Sequence, residues 1–412
     1  MSIEIPEGSE VKVEKNSALY EGRAMPSPEG VLIIKLGNGY NVGLKLDPNL
    51  KILEIKERAR KKPIKRLVVE KMGGKTIAIL GTGGTIASYV DYTTGAVHPT
   101  RSTGELLNYI PEIRDVANVR AKILFSVLSE DLGPKHWKIL AKEVKKEFEE
   151  GCRGVVISHG TDTMSFTAAG LAFMLRELSG PVILTGAQRS ADRPSSDGFL
   201  NLLYSTRAAL TDLGEVVVAM HDTLSDDRIT LHRACRVRKM HTSARGAFKS
   251  IDADPIGYVN SDRVYLREHD KKGDNTIIDT RMDEKVGILY SYPGLDYDVF
   301  EAFSERHNGI VIAGTGLGHC PDAILPGIKM AIDKGKAVVM TSQCIHGKVN
   351  LAVYSRGREL LKAGIIACDL LPEVAMIKLG WVLGHTKDQE KIGEMMRKEY
   401  THEFGGRRFI DG

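Results

Sequence analysis

The stretch TIAILGTGGTIASYVDYTTGAVHP, Thr76 to Pro99, opens as an unbroken apolar run and then turns polar. Gly81, Gly83 and Gly84 fall within four residues, and Thr85 follows them directly. An apolar run without alternation reads as a strand buried on both faces, as in a parallel sheet. In an open α/β sheet, the loop that leaves such a strand lies where ligands bind. A glycine-rich loop in that place is a phosphate cradle, a plain turn or a mount for a nucleophile. The nucleotide reading fails on detail. The dinucleotide fingerprint needs a third glycine where Ile86 stands, and no Gly-Lys-Ser/Thr follows as a P-loop requires. Anion binding at a helix start stays open for a small carboxylate.

Working outward from Thr76, apolar runs of the same kind recur. GVVISHG, PVILTGA, EVVVAM, KVGILY, GIVIAG and AVVMTS are short and rich in Val and Ile. Helical patterns such as HWKILAKEVKKEFEEG and DTMSFTAAGLAFMLREL separate them. Alternation of this kind predicts an α/β body of two doubly wound domains. The larger spans 76–266 and the smaller 285–412. The polar stretch beginning REHDKKGDNT connects them over 267–284. Four loops are expected on one edge: Gly81 to Thr85, Ser158 to Thr163, Gly186 to Arg189, and Gly314 to Gly318.

Before Thr76 the chain changes character. SEVKVEK, ALYEGRA, VLIIKL, YNVGLKL and KILEI are five short β-rich runs, with an Asn38-Gly39 hairpin signal between the third and fourth. They predict a small all-β barrel over 1–55. Residues 56–75 form a linker with nine basic residues against two acids, closed by Gly73-Gly74. A solvated linker explains these charges more simply than RNA contact does.

Composition sets further bounds. Of the 412 residues 42% are hydrophobic and 27% charged, which describes a soluble globular chain. A net charge of +4 is too mild to argue for nucleic acid. No apolar run is long enough to span a membrane, and the start of the chain carries no signal-peptide pattern. The five cysteines are scattered and form no C-x-x-C pair. A reduced, cytoplasmic location without structural zinc is expected.

The loop SHGTDT decides between the remaining readings. It again follows a buried strand, and it offers Thr161 and Thr163 around Asp162. Either loop alone reads as a helix cap, since Ser, Thr and Asp favour N-caps. Two such loops at neighbouring strand ends point to a polar site.

TGGTIA (Thr82 to Ala87) followed by HGTDT resembles the bacterial-type L-asparaginase/glutaminase family. GAQRS and ADRPSSDGFLNL resemble that family's stretch after the next strand, and the likeness runs from about Thr76 to Leu383. The resemblance implies that Thr85 is the nucleophile, with Gly84 beside it. It implies that Tyr92 belongs to a mobile lid, that Ser129 holds the substrate α-carboxylate, and that Gly160 and Asp162 contact substrate. Thr161, Asp162 and a lysine would form a second hydroxyl–carboxylate–lysine group. Counting back from AFKS places that lysine at Lys239. Two departures stand out: Glu130 replaces the Gln common beside the serine, and Tyr354 falls where secreted members place an acid.

The residue types suit amide hydrolysis. A side-chain amide needs an activated nucleophile and a site that stabilises the oxyanion. A β-domain fused ahead of an asparaginase-like body resembles the D subunits of archaeal glutamyl-tRNA(Gln) amidotransferases. TSQCIHGKVNLAVYSRGRELLKAG and DLLPEVAMIKLGWVLG add to that likeness. The resemblance implies a glutaminase that feeds ammonia to an E subunit, which binds the tRNA and uses ATP and Mg. This chain itself is expected to need no cofactor or metal and to touch no membrane. A heterodimer is implied, assembled into a heterotetramer through a homodimer of this chain. The alternatives are a stand-alone cytoplasmic L-asparaginase with an accessory barrel, or a non-enzymatic RNA-binding protein.

Overall fold

The computed structural model of the chain describes residues 5–6, 9–25, 27, 30–36, 41–56, 74–83, 88–90, 97–99, 112–189 and 196–406. The Asn38-Gly39 turn and most of the basic linker, 57–73, lie outside these residues.

The five N-terminal runs form strands Glu10–Lys15, Ala18–Met25, Val31–Leu36, Asn41–Lys45 and Leu50–Lys56. Their order is fourth, third, second, first, fifth, with all pairs antiparallel. The alternation of each run places Val11, Val13, Ala24, Leu32, Ile34 and Leu44 in one small core. Strands Val31–Leu36 and Asn41–Lys45 pair antiparallel, with Lys35 opposite Asn41.

The large sheet of the body has eight strands. From one edge these are Asn118–Ile123, Thr76–Gly81, Val155–Ser158, Val182–Thr185, Val216–His221, Arg228–Arg233, Gly257–Asn260 and Val264–Leu266. The first five run parallel. The last three extend the sheet antiparallel, a departure from the purely parallel expectation. Strand Arg228–Arg233 alternates apolar with polar residues, and the other two are only four and three residues long, so none shows the continuous run that marks the parallel strands.

The order around Thr76–Gly81 positions the site. The chain leaves this strand to form its neighbour Asn118–Ile123 on one side, then crosses to Val155–Ser158 on the other. Such a reversal opens a crevice at the carboxyl ends of the strands.

Helix Pro134–Glu149 turns Trp137, Leu140, Ala141, Val144 and Phe148 inward at helical spacing, and Pro134 opens its first turn. Helix Met164–Met174 is apolar on every side because it packs against helices Pro134–Glu149 and Pro372–Leu383 and strand Val216–His221.

The connection lies against the large unit rather than hanging free. Strand Ile277–Ile278 pairs with Leu175–Arg176, and the Lys272 amide donates to the Asp212 carbonyl. The second sheet has four parallel strands, Val286–Tyr290, Gly309–Gly314, Ala337–Ser342 and Ile366–Ala367, in chain order. Among the described residues this order contains no reversal beside a strand, so it opens no second crevice of the same kind. Helix Pro372–Leu383 packs on its strands and on helix Met164–Met174. It thereby joins the facing sides of the two sheets in one apolar cluster, while the other face of each sheet keeps a core of its own.

Candidate active site

Three of the four expected loops leave neighbouring strands of the large sheet: those after Gly81, Ser158 and Thr185. The fourth, Gly314 to Gly318, belongs elsewhere. Its hydrogen bonds join it to Gln343, Ser342, Asn350 and His319 of the second unit. A glycine-rich turn after a strand looks alike in both sheets, and only strand order separates them.

The first loop is tied to the second at its root. Thr82 donates its amide (3.1 Å) and its hydroxyl (2.9 Å) to the Ser158 carbonyl. Gly83 follows with φ +104°, and a Cβ there would stand 2.5 Å from the Val127 carbonyl oxygen. Only glycine fits both the left-handed backbone and the close approach. Thr85, Gly84 and Tyr92, the expected nucleophile, its neighbour and the lid tyrosine, lie outside the described residues. The short strands Ser88–Val90 and Val97–Pro99 that flank Tyr92 pair antiparallel.

The second loop carries the group that the sequence anticipates. Lys239 Nζ donates to Thr161 Oγ1 at 2.9 Å and to Asp162 Oδ1 at 2.7 Å. Thr161 is buried, Lys239 nearly so, and the Asp162 side chain is 71% exposed. The carboxylate therefore faces solvent, where a charged ligand group can reach it, while the lysine–threonine contact is shielded. Lys239 ends strand Val237–Lys239, which pairs with Phe248–Ser250 so that Lys239 lies opposite Phe248. Of the neighbouring basic residues, Lys249 reaches instead for the Asp222 carbonyl, and Arg238 pairs with Glu373.

Ser129 starts a short 3-10 turn over Ser129–Asp131 and is buried. A Cβ on Gly160 would stand 2.7 Å from Ser129 Cβ and 3.0 Å from its hydroxyl oxygen. The missing side chain at 160 is thus what lets the two loops touch. The Thr163 hydroxyl donates to the Ser129 carbonyl at 2.6 Å and locks that contact. The Ser129 hydroxyl donates to Glu130 Oε2 at 3.3 Å. Glu130 is exposed, and its carboxylate competes for the proton that Ser129 would offer a ligand carboxylate. Ser129, Gly160, Thr161, Asp162 and Lys239 are thus brought together. Tyr354 is separate from them: it is exposed and stands edge-on to the His319 ring, with centroids 5.2 Å apart.

Beneath the loop, the sequence reading missed three residues. His159 is fully buried, with Nδ1 2.7 Å from the Gly160 carbonyl and Nε2 2.8 Å from Thr167 Oγ1. Trp137 Nε1 donates to the same hydroxyl at 3.0 Å. Burial pushes the imidazole down to about 4. His159 was legible only as the residue before Gly160. Nothing in the sequence separates it from an ordinary core histidine.

Comparison with known proteins gives the family of the chain. Residues 76–272 match the family described as Asparaginase, N-terminal, and 285–396 match the Glutaminase/Asparaginase C-terminal domain. Residues 5–55 match the GatD N-terminal domain. The D subunit of the glutamyl-tRNA(Gln) amidotransferase from Pyrococcus abyssi is 49% identical over 397 residues, covering 93% of this chain and 90% of its own. The corresponding D subunit from Methanothermobacter thermautotrophicus is 45% identical, covering 99% and 96%. Among solved structures, the thermostable L-asparaginase from Thermococcus kodakarensis aligns with TM-score 0.74 and 32% identity, over 80% of this chain and 99% of its own. A probable cytoplasmic L-asparaginase from Campylobacter jejuni gives 0.67 and 32%, over 79% and 100%. With the β-domain, both halves of the asparaginase body and this level of identity in place, the chain belongs to the family of glutamyl-tRNA(Gln) amidotransferase D subunits.

Proposed function

We propose that this chain hydrolyses glutamine and delivers the ammonia to a partner E subunit, which uses it to convert Glu-tRNA(Gln) to Gln-tRNA(Gln). The observation that carries the reading is the Lys239 ammonium held between Thr161 Oγ1 and Asp162 Oδ1 at the crevice beside Thr76–Gly81. Thr85 attacks the side-chain amide carbonyl. The resulting oxyanion collapses with loss of ammonia and leaves a Thr85 acyl ester, which water cleaves to glutamate. The hydroxyl proton of Thr85 leaves with the ammonia. Thr161 and Lys239 carry protons across this step, and the shielded contact between them favours that role. Ser129 receives the substrate α-carboxylate and the exposed Asp162 carboxylate its α-amino group. Tyr92 closes over the bound substrate.

ATP and Mg act on the E subunit, where glutamate is activated, and tRNA is held mainly there. The assembly is a heterotetramer built through a homodimer of this chain, in the cytoplasm. The β-domain favours this reading over a stand-alone asparaginase, because residues 5–55 match a domain named for the amidotransferase component. The test is Thr85→Ala in the complex with its E subunit. Ammonia release from glutamine should fall by at least about 10³-fold with the fold intact, as loss of a nucleophile requires. Near-normal release rejects the assignment.

A further inference from the structure

The polar chain beneath the HGTDT loop has a fixed direction. A carbonyl oxygen only accepts, so the 2.7 Å contact to Gly160 places the His159 proton on Nδ1. The neutral ring then accepts at Nε2, and the Thr167 hydroxyl must be the donor across 2.8 Å. That hydroxyl oxygen accepts in turn from Trp137 Nε1 at 3.0 Å. The bonds therefore run one way, Trp137 to Thr167 to His159 to the Gly160 carbonyl. Trp137, Thr167 and His159 are all buried, which excludes water as a competing partner.

The Gly160 carbonyl belongs to the peptide that joins Gly160 to Thr161. A trans peptide is planar, with its C=O and N–H pointing opposite ways. Holding the carbonyl down on the His159 ring aims the Thr161 N–H away from it. Glycine at 160 leaves this peptide freer to flip than any other residue would. A flip would turn the carbonyl off the His159 ring and would shift the Thr161 backbone that sets Oγ1 against Lys239.

We infer that His159 is a positioning residue for amide hydrolysis: with Thr167 and Trp137 it locks the Gly160–Thr161 peptide in the orientation that presents Thr161 to Lys239. The burial that disfavours the imidazolium supports this, since a charged ring would donate from both nitrogens and break the one-way chain. The inference rests on the glutaminase reading above.

The test uses the complex with its E subunit and glutamine as substrate. Thr167→Val keeps the side-chain shape but removes the hydroxyl, and Thr167→Ser restores it. Thr167→Val should lower kcat by ~10²-fold, as small displacements of reacting groups do, with KM for glutamine changed less than about threefold. Thr167→Ser should return most of kcat. A second readout needs no variant to fold: in 15N-histidine spectra of the wild-type protein the His159 ring, assigned by through-bond correlation from its own Cβ, should stay the Nδ1–H tautomer through neutral and mildly acidic pH. A wild-type kcat in Thr167→Val, a loss that Thr167→Ser does not repair, or the Nε2–H tautomer at His159 would each overturn the inference. Absence of glutamine hydrolysis by the wild-type complex would reject the glutaminase reading instead, and the tautomer would still report on the lock.

Discussion

Lys239 and Lys249 show what one residue's position on a strand decides. Arg238 lies opposite Lys249 and Lys239 opposite Phe248 in the same two-stranded ribbon. Side chains alternate between faces, so the two lysines point to opposite sides. Lys239→Ala should therefore reduce glutamine turnover by about 10²–10⁴-fold, the range for loss of a proton-transfer group. Lys249→Ala should stay within about twofold, because its ammonium serves the Asp222 carbonyl. Equal losses in steady-state assays of the two variants would sink the role given to Lys239. Lys239 was singled out in sequence only through the resemblance of AFKS to the family's stretch, from which the count runs back. His159 was not, because burial and bonding partners are three-dimensional facts. Its pH signature is measurable, and His232 adds to it. Burial pushes His232 down to about 3 and His159 to about 4, against an unfolded value near 6.5. Below pH 6.5 the unfolded chain takes up protons that the folded one refuses. Stability is therefore full above pH 6.5 and lost as pH falls toward those lower values. Between pH 6.5 and 5 each histidine should cost about 2 kcal/mol, read from urea unfolding at both pH values. Unchanged stability across that window would contradict the neutral buried rings.

At the scale of elements, helix Pro372–Leu383 is the informative case. Its sequence, PEVAMIKLGWVL, shows no apolar stripe, and the structure gives the reason: it is covered on nearly every side. Lys378 is fully buried in it, 2.7 Å from the equally buried Glu403, with the Phe404 ring 4.5 Å from Nζ. Lys378 also donates to the Lys398 carbonyl, and Glu403 accepts from the Tyr400 and Thr401 amides. Arg236, which precedes the strand that carries Lys239, donates to the Glu403 carbonyl. The C-terminal segment is thus clamped both to the helix that joins the two sheets and to the base of the site. Glu403→Gln should destabilise by about 3–5 kcal/mol, since it leaves a buried ammonium without its counter-charge. The double change Lys378→Met with Glu403→Leu should recover much of that loss. A Glu403→Gln protein with an unshifted denaturation midpoint would show that the pair is not the clamp. The pairing was unreadable in sequence because a lysine in an apolar helix reads first as an exposed one. By contrast the parallel strands were legible, since burial on both faces leaves continuous apolar runs. The antiparallel strands Arg228–Arg233 and Gly257–Asn260 were missed because the first has no continuous apolar run and the second is only four residues long.

For the whole molecule, the question is why a hydrolase body carries a β-domain that amide hydrolysis does not require. The β-domain has its own core, and the linker between it and the body is the most basic part of the chain. A free glutaminase would drain glutamine that the cell uses elsewhere, so a chain that supplies ammonia to a tRNA-bound glutamate gains from being slow by itself. A bound partner shifts such an equilibrium only through its different affinity for the slow and fast states. The segment SYVDYTTGAVHP, with Tyr92, is where the sequence places a lid, and lid closure sets the rate in many hydrolases. Glutamine hydrolysis should therefore be weak in the isolated chain. It should rise with E subunit, and rise again by tenfold or more with E subunit and Glu-tRNA(Gln), equivalent to about 1.4 kcal/mol of coupling. Tyr92→Phe and a chain lacking residues 1–72 separate the two possible carriers of this coupling. If the lid carries it, Tyr92→Phe flattens the response to E subunit and tRNA and the truncated chain keeps that response. If the β-domain carries it, the truncated chain keeps its basal rate and loses the response to E subunit and tRNA. Full hydrolysis by the isolated chain, unchanged by either addition, would reject coupling and return the protein to the stand-alone amidohydrolases whose fold it shares.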